Sequence, residues 1–274
     1  MKRFLALVLA VLMVLSLAAC GGKDNVVKMG KLEAGGMEAM YSDEHNAHMR
    51  TQNGFSADLK IEFVNYNNLS AALMDLEAGK IASIGLEECT AKYIAARNEK
   101  VVATKLNVGM TDYSMMTMDS NQEVYDILNN GIKAMKADGT LDSLIANELK
   151  AYIESDPEPK DLPHFDGAKT IKVGVTGDLP PMDFVAANGK AAGFNIALLA
   201  EIANRAQVNI EFVQIETGAR AMALSSGKVD AVFWTRSMKC TVCGSEGAEK
   251  VEGALVTETY FSDYAAEIKL KSDK

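Results

Sequence analysis

Between residues 170 and 233 short apolar runs alternate with longer amphipathic ones. Residues 171–175 (IKVGV) read as a strand, followed by a turn built on Gly177, Asp178, Pro180 and Pro181. Gly193-Phe194 opens a helix with apolar positions at Ile196, Leu199, Ile202 and Ala203. The pattern then predicts a strand over 208–215, a helix ending at Gly227 and a third strand over 229–233. Strands separated by helices of about 10–15 residues indicate a parallel sheet in an α/β fold. Ligands of such sheets sit at the carboxyl ends of the strands, so the turn after Val175 is the first place to look for function.

The same alternation appears earlier in the chain. Strands are predicted at 26–29, 59–66, 81–86 and 101–108, with helices at 69–78 and 90–97. The polar stretch between Gly30 and Asp58 shows no clear period. Two helical pieces joined by residues 136–140 (KADGT) span 122–148. The two alternating regions are related. Ile61-Glu62-Phe63-Val64 matches Ile210-Glu211-Phe212-Val213, and Met74-x-Leu76-x-x-Gly79-Lys80 matches Met222-x-Leu224-x-x-Gly227-Lys228. Asp112-Tyr113 matches Asp263-Tyr264, so three matches fall at offsets of 149, 148 and 151. An internal repeat of two similar α/β units follows. The polar connection over 154–169 holds three of the five prolines.

Length and charge narrow the function. The 274 residues carry a formal charge of −9, a poor match to nucleic acid. Residues 1–19 read as a leader: a basic Met1-Lys2-Arg3, an apolar run too short to span a bilayer comfortably, then small residues directly before Cys20. That is the pattern of a bacterial lipoprotein signal. It predicts lipidation at Cys20, a tether over 20–25, and a protein anchored by acyl chains to the outer face of the cell membrane.

Little in the sequence suggests catalysis. There is no G-x-S-x-G and no P-loop, and the reading expects no cofactor, no metal and no enzyme activity. Cys240-x-x-Cys243 is half of a zinc site without a second pair, and reads as a candidate disulfide stiffening a loop. His45-x-x-His48 beside Asp43 and Glu44 has the spacing to ligate a metal, but reads rather as a solvated acidic helix or loop. Most of the 15 methionines read as core filler.

Three segments carry a resemblance: IKVGVTGDLPPMDF (171–184), NGKAAGFNIALLAEIANR (188–205) and ALSSGKVDAV (223–232). They resemble the bacterial extracellular solute-binding proteins of family 3, the amino-acid receptors of ABC transporters. Residues 130–145 (NGIKAMKADGTLDSLI) resemble the closing segment of that family, yet here the family's opening strand comes after it. The resemblance therefore implies an α/β fold of the periplasmic-binding-protein type II, two lobes and a hinge, in circularly permuted order. Residues 26–118 would be the family's second lobe and 169–274 its first. Residues 119–168 would be the terminal helices and linker, packed on the later lobe. A tandem array that lost its outer halves is the rival explanation.

The resemblance also implies a ligand site. The acid that pairs with the ligand ammonium falls on Glu87, with Glu88 beside it. Leu179 stands where an aromatic usually stacks on the ligand, and Thr217 where a second aromatic wall stands. No arginine lands on the family's carboxylate-clamping position; Arg220 or Arg236 can take its place, and Trp234 can replace a wall. Asp178, Met182, Phe184, Thr235 and Ser237 complete the expected set. The function implied is a monomeric lipoprotein receptor that hands an amino acid or similar small solute to an ABC permease. An orphan or sensory binding module and a dehydratase-like enzyme are the alternatives.

Overall fold

The computed structural model describes residues 25–33, 38–155, 159–186, 189–240 and 243–271. The leader over 1–19, Cys20 and nearly all of the tether lie outside the described residues. The earlier unit begins with β1 (Val26–Leu32), α1 (Asp43–Gln52), β2 (Lys60–Tyr66) and α2 (Leu69–Glu77). It continues with β3 (Ser83–Glu87), α3 (Glu88–Arg97) and β4 (Val101–Met118). A helical run follows: α4 (Gln122–Ala137), α5 (Thr140–Leu144), a π-helical turn (Ile145–Lys150) and α6 (Ala151–Glu154).

The later unit starts at β5 (Thr170–Val175) and a small meander of β6 (Asp178–Leu179), β7 (Asp183–Val185) and β8 (Ala191–Ala192). Then come α7 (Phe194–Ala206), β9 (Asn209–Gln214), α8 (Arg220–Ser225) and β10 (Ala231–Lys239). Strands β11 (Glu246–Ala248), β12 (Ala254–Val256) and β13 (Phe261–Leu270) close the described chain.

One sheet runs through both units in the order β2-β1-β3-β13-β4-β10-β5-β9. Its two ends are parallel triplets, β2-β1-β3 and β10-β5-β9, as βαβ connections require. Between them β13 and β4 run antiparallel to each other, and β4 also pairs antiparallel with β10. The two triplets share a register motif. Lys28-Met29-Gly30 faces Glu62-Phe63-Val64, and Lys172-Val173-Gly174 faces Glu211-Phe212-Val213.

Local chemistry fixes the helix ends. The Asn68 side chain accepts from Ala71 N (2.9 Å) to start α2. Gly193 starts α7 at φ +111, where an added Cβ would stand 2.7 Å from the Pro181 carbonyl oxygen. Helix α4 buries Val124, Leu128, Ile132 and Met135, a spacing that lays one apolar stripe along its length. That stripe packs with Leu198, Leu199 and Ile202 of α7 in the largest core cluster. Gly131 lets the two helices close up, since a Cβ there would lie 2.9 Å from Ile202 Cγ1.

Several expectations need correction. The strand predicted over 101–108 does not stop there: β4 runs on through a left-handed kink at Gly109 (φ +115) to Met118. The third strand of the later unit continues past 233 to Lys239, because β4 and β11 supply it with partners. The unassigned polar stretch contains α1, capped by Ser42 Oγ accepting from His45 N (3.2 Å). His45, expected in solvent, is only 2% exposed, because α1 lies with His45 and Met49 turned inward.

Candidate functional site

The two parallel triplets point their carboxyl ends at a common seam. On the earlier side β3 ends at Glu87, which is buried. Tyr113 of β4 donates from its hydroxyl to Glu87 Oε1 (2.6 Å), while Glu87 Oε2 has no hydrogen-bond partner among the described residues. Burial, and then the Glu87 charge, push the Tyr113 pKa well above its ordinary value, so Tyr113 stays a donor. Glu88 turns away into the first turn of α3 and pairs with Lys92 (2.7 Å).

On the later side the turn after β5 is built around Asp183, which is fully buried. Its Oδ1 accepts from Thr176 N (2.9 Å), Thr176 Oγ1 (2.7 Å) and Gly177 N (2.8 Å), and its Oδ2 from Asn195 Nδ2 (2.8 Å). This carboxylate fixes the loop that presents Asp178 and Leu179. Asp178 Oδ2 reaches across the seam to accept from Leu69 N (3.0 Å) at the start of α2. Burial raises the Asp178 pKa above its ordinary value against that hydrogen bond, and the nearby Asp183 adds to the rise. Thr217 N donates to Asn67 O (3.0 Å), a second bond across the seam.

The arginines converge on one acid. Arg220, buried in α8, donates through Nη2 to both carboxylate oxygens of Glu249 (2.8 and 3.0 Å), through Nη1 to Phe233 O (2.7 Å) and through Nε to Thr217 O (3.1 Å). Arg236 donates through Nε to Glu249 Oε1 (2.9 Å) and through Nη2 to Glu33 O (3.3 Å). Burial works against the Arg236 charge, but Glu249, Tyr41 and Glu87 outweigh it and hold its pKa above the ordinary value.

Leu32, Glu87, Thr176, Leu179, Thr217, Arg220 and Arg236 thus surround a space of only about 10 Å³, room for about one water. A larger cavity of about 100 Å³ adjoins it under α1, lined by Met29, Tyr41, His45, Phe63, Glu87 and Arg236 among others.

The structure brings together Glu87, Leu179, Thr217, Arg220 and Arg236 from the expected set, with Asp178 bridging the seam beside them. It does not bring in the others. Met182 is fully buried in the core, and Phe184 packs on Tyr93 of α3 (centroids 6.3 Å apart). Thr235 is buried with Oγ1 unpartnered among the described residues. Ser237 faces solvent, because alternation along β10 turns Arg236 and Met238 inward and Ser237 and Lys239 outward. The side chain of Trp234 lies outside what the structure describes. Glu249, Tyr113 and Asp183 escaped sequence reasoning. Only Tyr113 left a signal, its place in the Asp-Tyr repeat. Cys240 and Cys243 are joined as a disulfide, with His45 of α1 at their side.

Residues 171–240 match the family model of the bacterial extracellular solute-binding proteins, family 3. None of the curated proteins matches the chain. Among solved structures, a ligand-binding component of an ABC-type import system from Staphylococcus aureus is similar at 11% identity and TM-score 0.42, over 89% of this chain and 65% of that one. The chain thus spans less than two thirds of that structure's length. The GluR0 ligand-binding core is similar at 11% identity and TM-score 0.43, over 92% of this chain and 87% of that one. CbnR, a LysR family transcriptional regulator, reaches 9% identity and TM-score 0.44, over 99% of this chain and 72% of that one.

Proposed function

We propose that the protein is the solute-binding component of an ABC importer, held at the outer membrane face by lipid on Cys20. It captures a small amine-bearing solute, an amino acid or a close relative, at the seam between two lobes. The observation that carries this reading is Glu87: a buried carboxylate at a strand's carboxyl end with one oxygen unpartnered. A buried carboxylate oxygen without a hydrogen-bond donor is costly, and a ligand ammonium would supply one. The family match over residues 171–240 supports the same reading. So do the bonds across the seam, which a cleft between two lobes would break on opening to admit a solute. Packing of α4 on α7 supports circular permutation over a truncated tandem array.

Glu249 favours a second reading of the ligand. It already occupies both guanidinium groups that would clamp a carboxylate. A solute recognised through its amine alone, such as a polyamine, needs no displacement of that acid.

A thermal-shift screen of amino acids, polyamines and dicarboxylates identifies the solute; binding at 100-fold excess over Kd stabilises by ~2.7 kcal/mol. Titration calorimetry then tests the site. Glu87→Gln keeps the shape and removes the charge, and should cost ~2–5 kcal/mol, a fall in affinity of roughly 30-fold or more. Glu88→Gln should change little, since Glu88 faces Lys92. Equal small losses in both variants, or a solute without an amine, overturn the proposal.

A further inference from the structure

The end of β10 brings two sulphurs together. Cys240 N donates to Ser245 O (2.8 Å), Gly244 N to Cys240 O (2.9 Å) and Cys243 N to Cys240 Sγ (3.1 Å). Gly244 takes φ +75, which lets the loop turn back at once. The loop is not alone. Helix α1, from the other unit, presents His45, and His45 Nδ1 stands 3.5 Å from Cys243 Sγ. The two sulphurs and a ring nitrogen of His45 lie within 4.8 Å of one another. A tetrahedral centre with Zn–S of ~2.3 Å and Zn–N of ~2.0 Å places such ligands ~3.5 Å apart.

A disulfide needs only the two cysteines. It leaves unexplained why an imidazole is buried against it. Cys240 is 1% exposed, Met40 and Met238 pack around the pair, and nothing in a disulfide calls for His45 there.

We propose that reduced Cys240 and Cys243, together with His45, form a zinc site that joins α1 of the earlier unit to the end of β10 in the later one. The disulfide is its oxidised form. A dithiol reductant supplies two electrons and two protons to the sulphur–sulphur bond and is itself oxidised to a disulfide. The two thiols formed release their protons as Zn²⁺ binds, and water completes the coordination. Two thiolates and an imidazole select zinc over magnesium or calcium, which prefer oxygen.

The test uses the full chain, reduced with a dithiol and freed of it under nitrogen. Cobalt(II) is titrated first, as a coloured stand-in, and then zinc. One cobalt per chain should bind with a thiolate-to-cobalt charge-transfer band, and zinc should displace it. Cys243→Ser should remove the band. His45→Ala should weaken zinc binding by about 100-fold or more, while His164→Ala, at an exposed position elsewhere, should not. If His45→Ala fails to fold, wild-type protein decides: oxidation to the disulfide should abolish binding. Failure of the reduced chain to bind a stoichiometric metal, or equal binding before and after oxidation, overturns the proposal.

Discussion

Helices α1 and α7 hold equivalent places, each linking the first two strands of a parallel triplet, yet they are built on opposite principles. Helix α7 reads FNIALLAEIANRA and buries eight of its residues, because α4 and α5 cover the side that the sheet does not. Helix α1 reads DEHNAHMRTQ and buries His45, Asn46 and Met49. Beneath it lie the cavity of about 100 Å³ and another of about 330 Å³, the latter bordered by Met49, Phe55 and Leu106. Two copies of one βαβ plan thus divide the work. The later copy is packed for stability, and the earlier copy keeps polar side chains and space next to Glu87.

The comparison breaks most clearly under large-to-small substitution. Leu199→Ala in α7 should cost ~2–5 kcal/mol, the range for a fully buried leucine, and Met49→Ala in α1 no more than ~2 kcal/mol, since Met49 already borders empty space. Urea unfolding of both variants checks this, and equal losses would mean that α1 is packed as tightly as α7.

The repeated tyrosines sharpen it. Tyr113 is buried on Glu87, while its repeat partner Tyr264 is 39% exposed beneath Lys105. Tyr113→Phe removes the donor to Glu87 Oε1 and should cost ~1–3 kcal/mol. Tyr264→Phe should stay within ~0.5 kcal/mol. The same unfolding assay separates them.

The smallest effect lies where the helical run meets the later unit. Asp138 accepts from Thr140 N (3.0 Å) and from Arg205 Nη1 of α7 (2.7 Å). The Thr140 contact first, and then Arg205, lower its pKa from 3.8 to about 2. Because the folded value is depressed, the contribution of Asp138 is present above 3.8 and lost as pH falls toward about 2. Asp138→Asn should therefore lie below wild type in stability at neutral pH, with the gap closing over that acid range in a pH series of thermal melts. A gap that widens toward acid would contradict it.

The strands and helices with clear apolar spacing were legible because that spacing is local; polar α1 and the short β11 and β12 were not. The carboxylate at the end of β3 was legible too. The rest of the site was not, because it depends on pairings between distant residues. The charges of Arg220 and Arg236 are neutralised by Glu249, which lies 29 and 13 residues further on. The path of β10 beyond 233 depends on β4 and β11, and only that path reveals that Arg236 turns in and Ser237 out. His45 looked solvated because α1 carries many polar residues, and sequence alone does not say which side of such a helix meets a sheet.

Strand β4 has one more consequence. At ~3.3 Å per residue its 18 residues span ~60 Å, and its length is shared between β13, β10 and β12. Neither unit owns it. Melting the later triplet strips β4 of β10, melting the earlier one strips β13, beside β4, of β3, and the largest core cluster holds residues of both units, so neither melts without cost to the other. Calorimetry should accordingly record one heat-absorption peak whose van't Hoff and calorimetric enthalpies agree, although the chain carries two copies of the same plan.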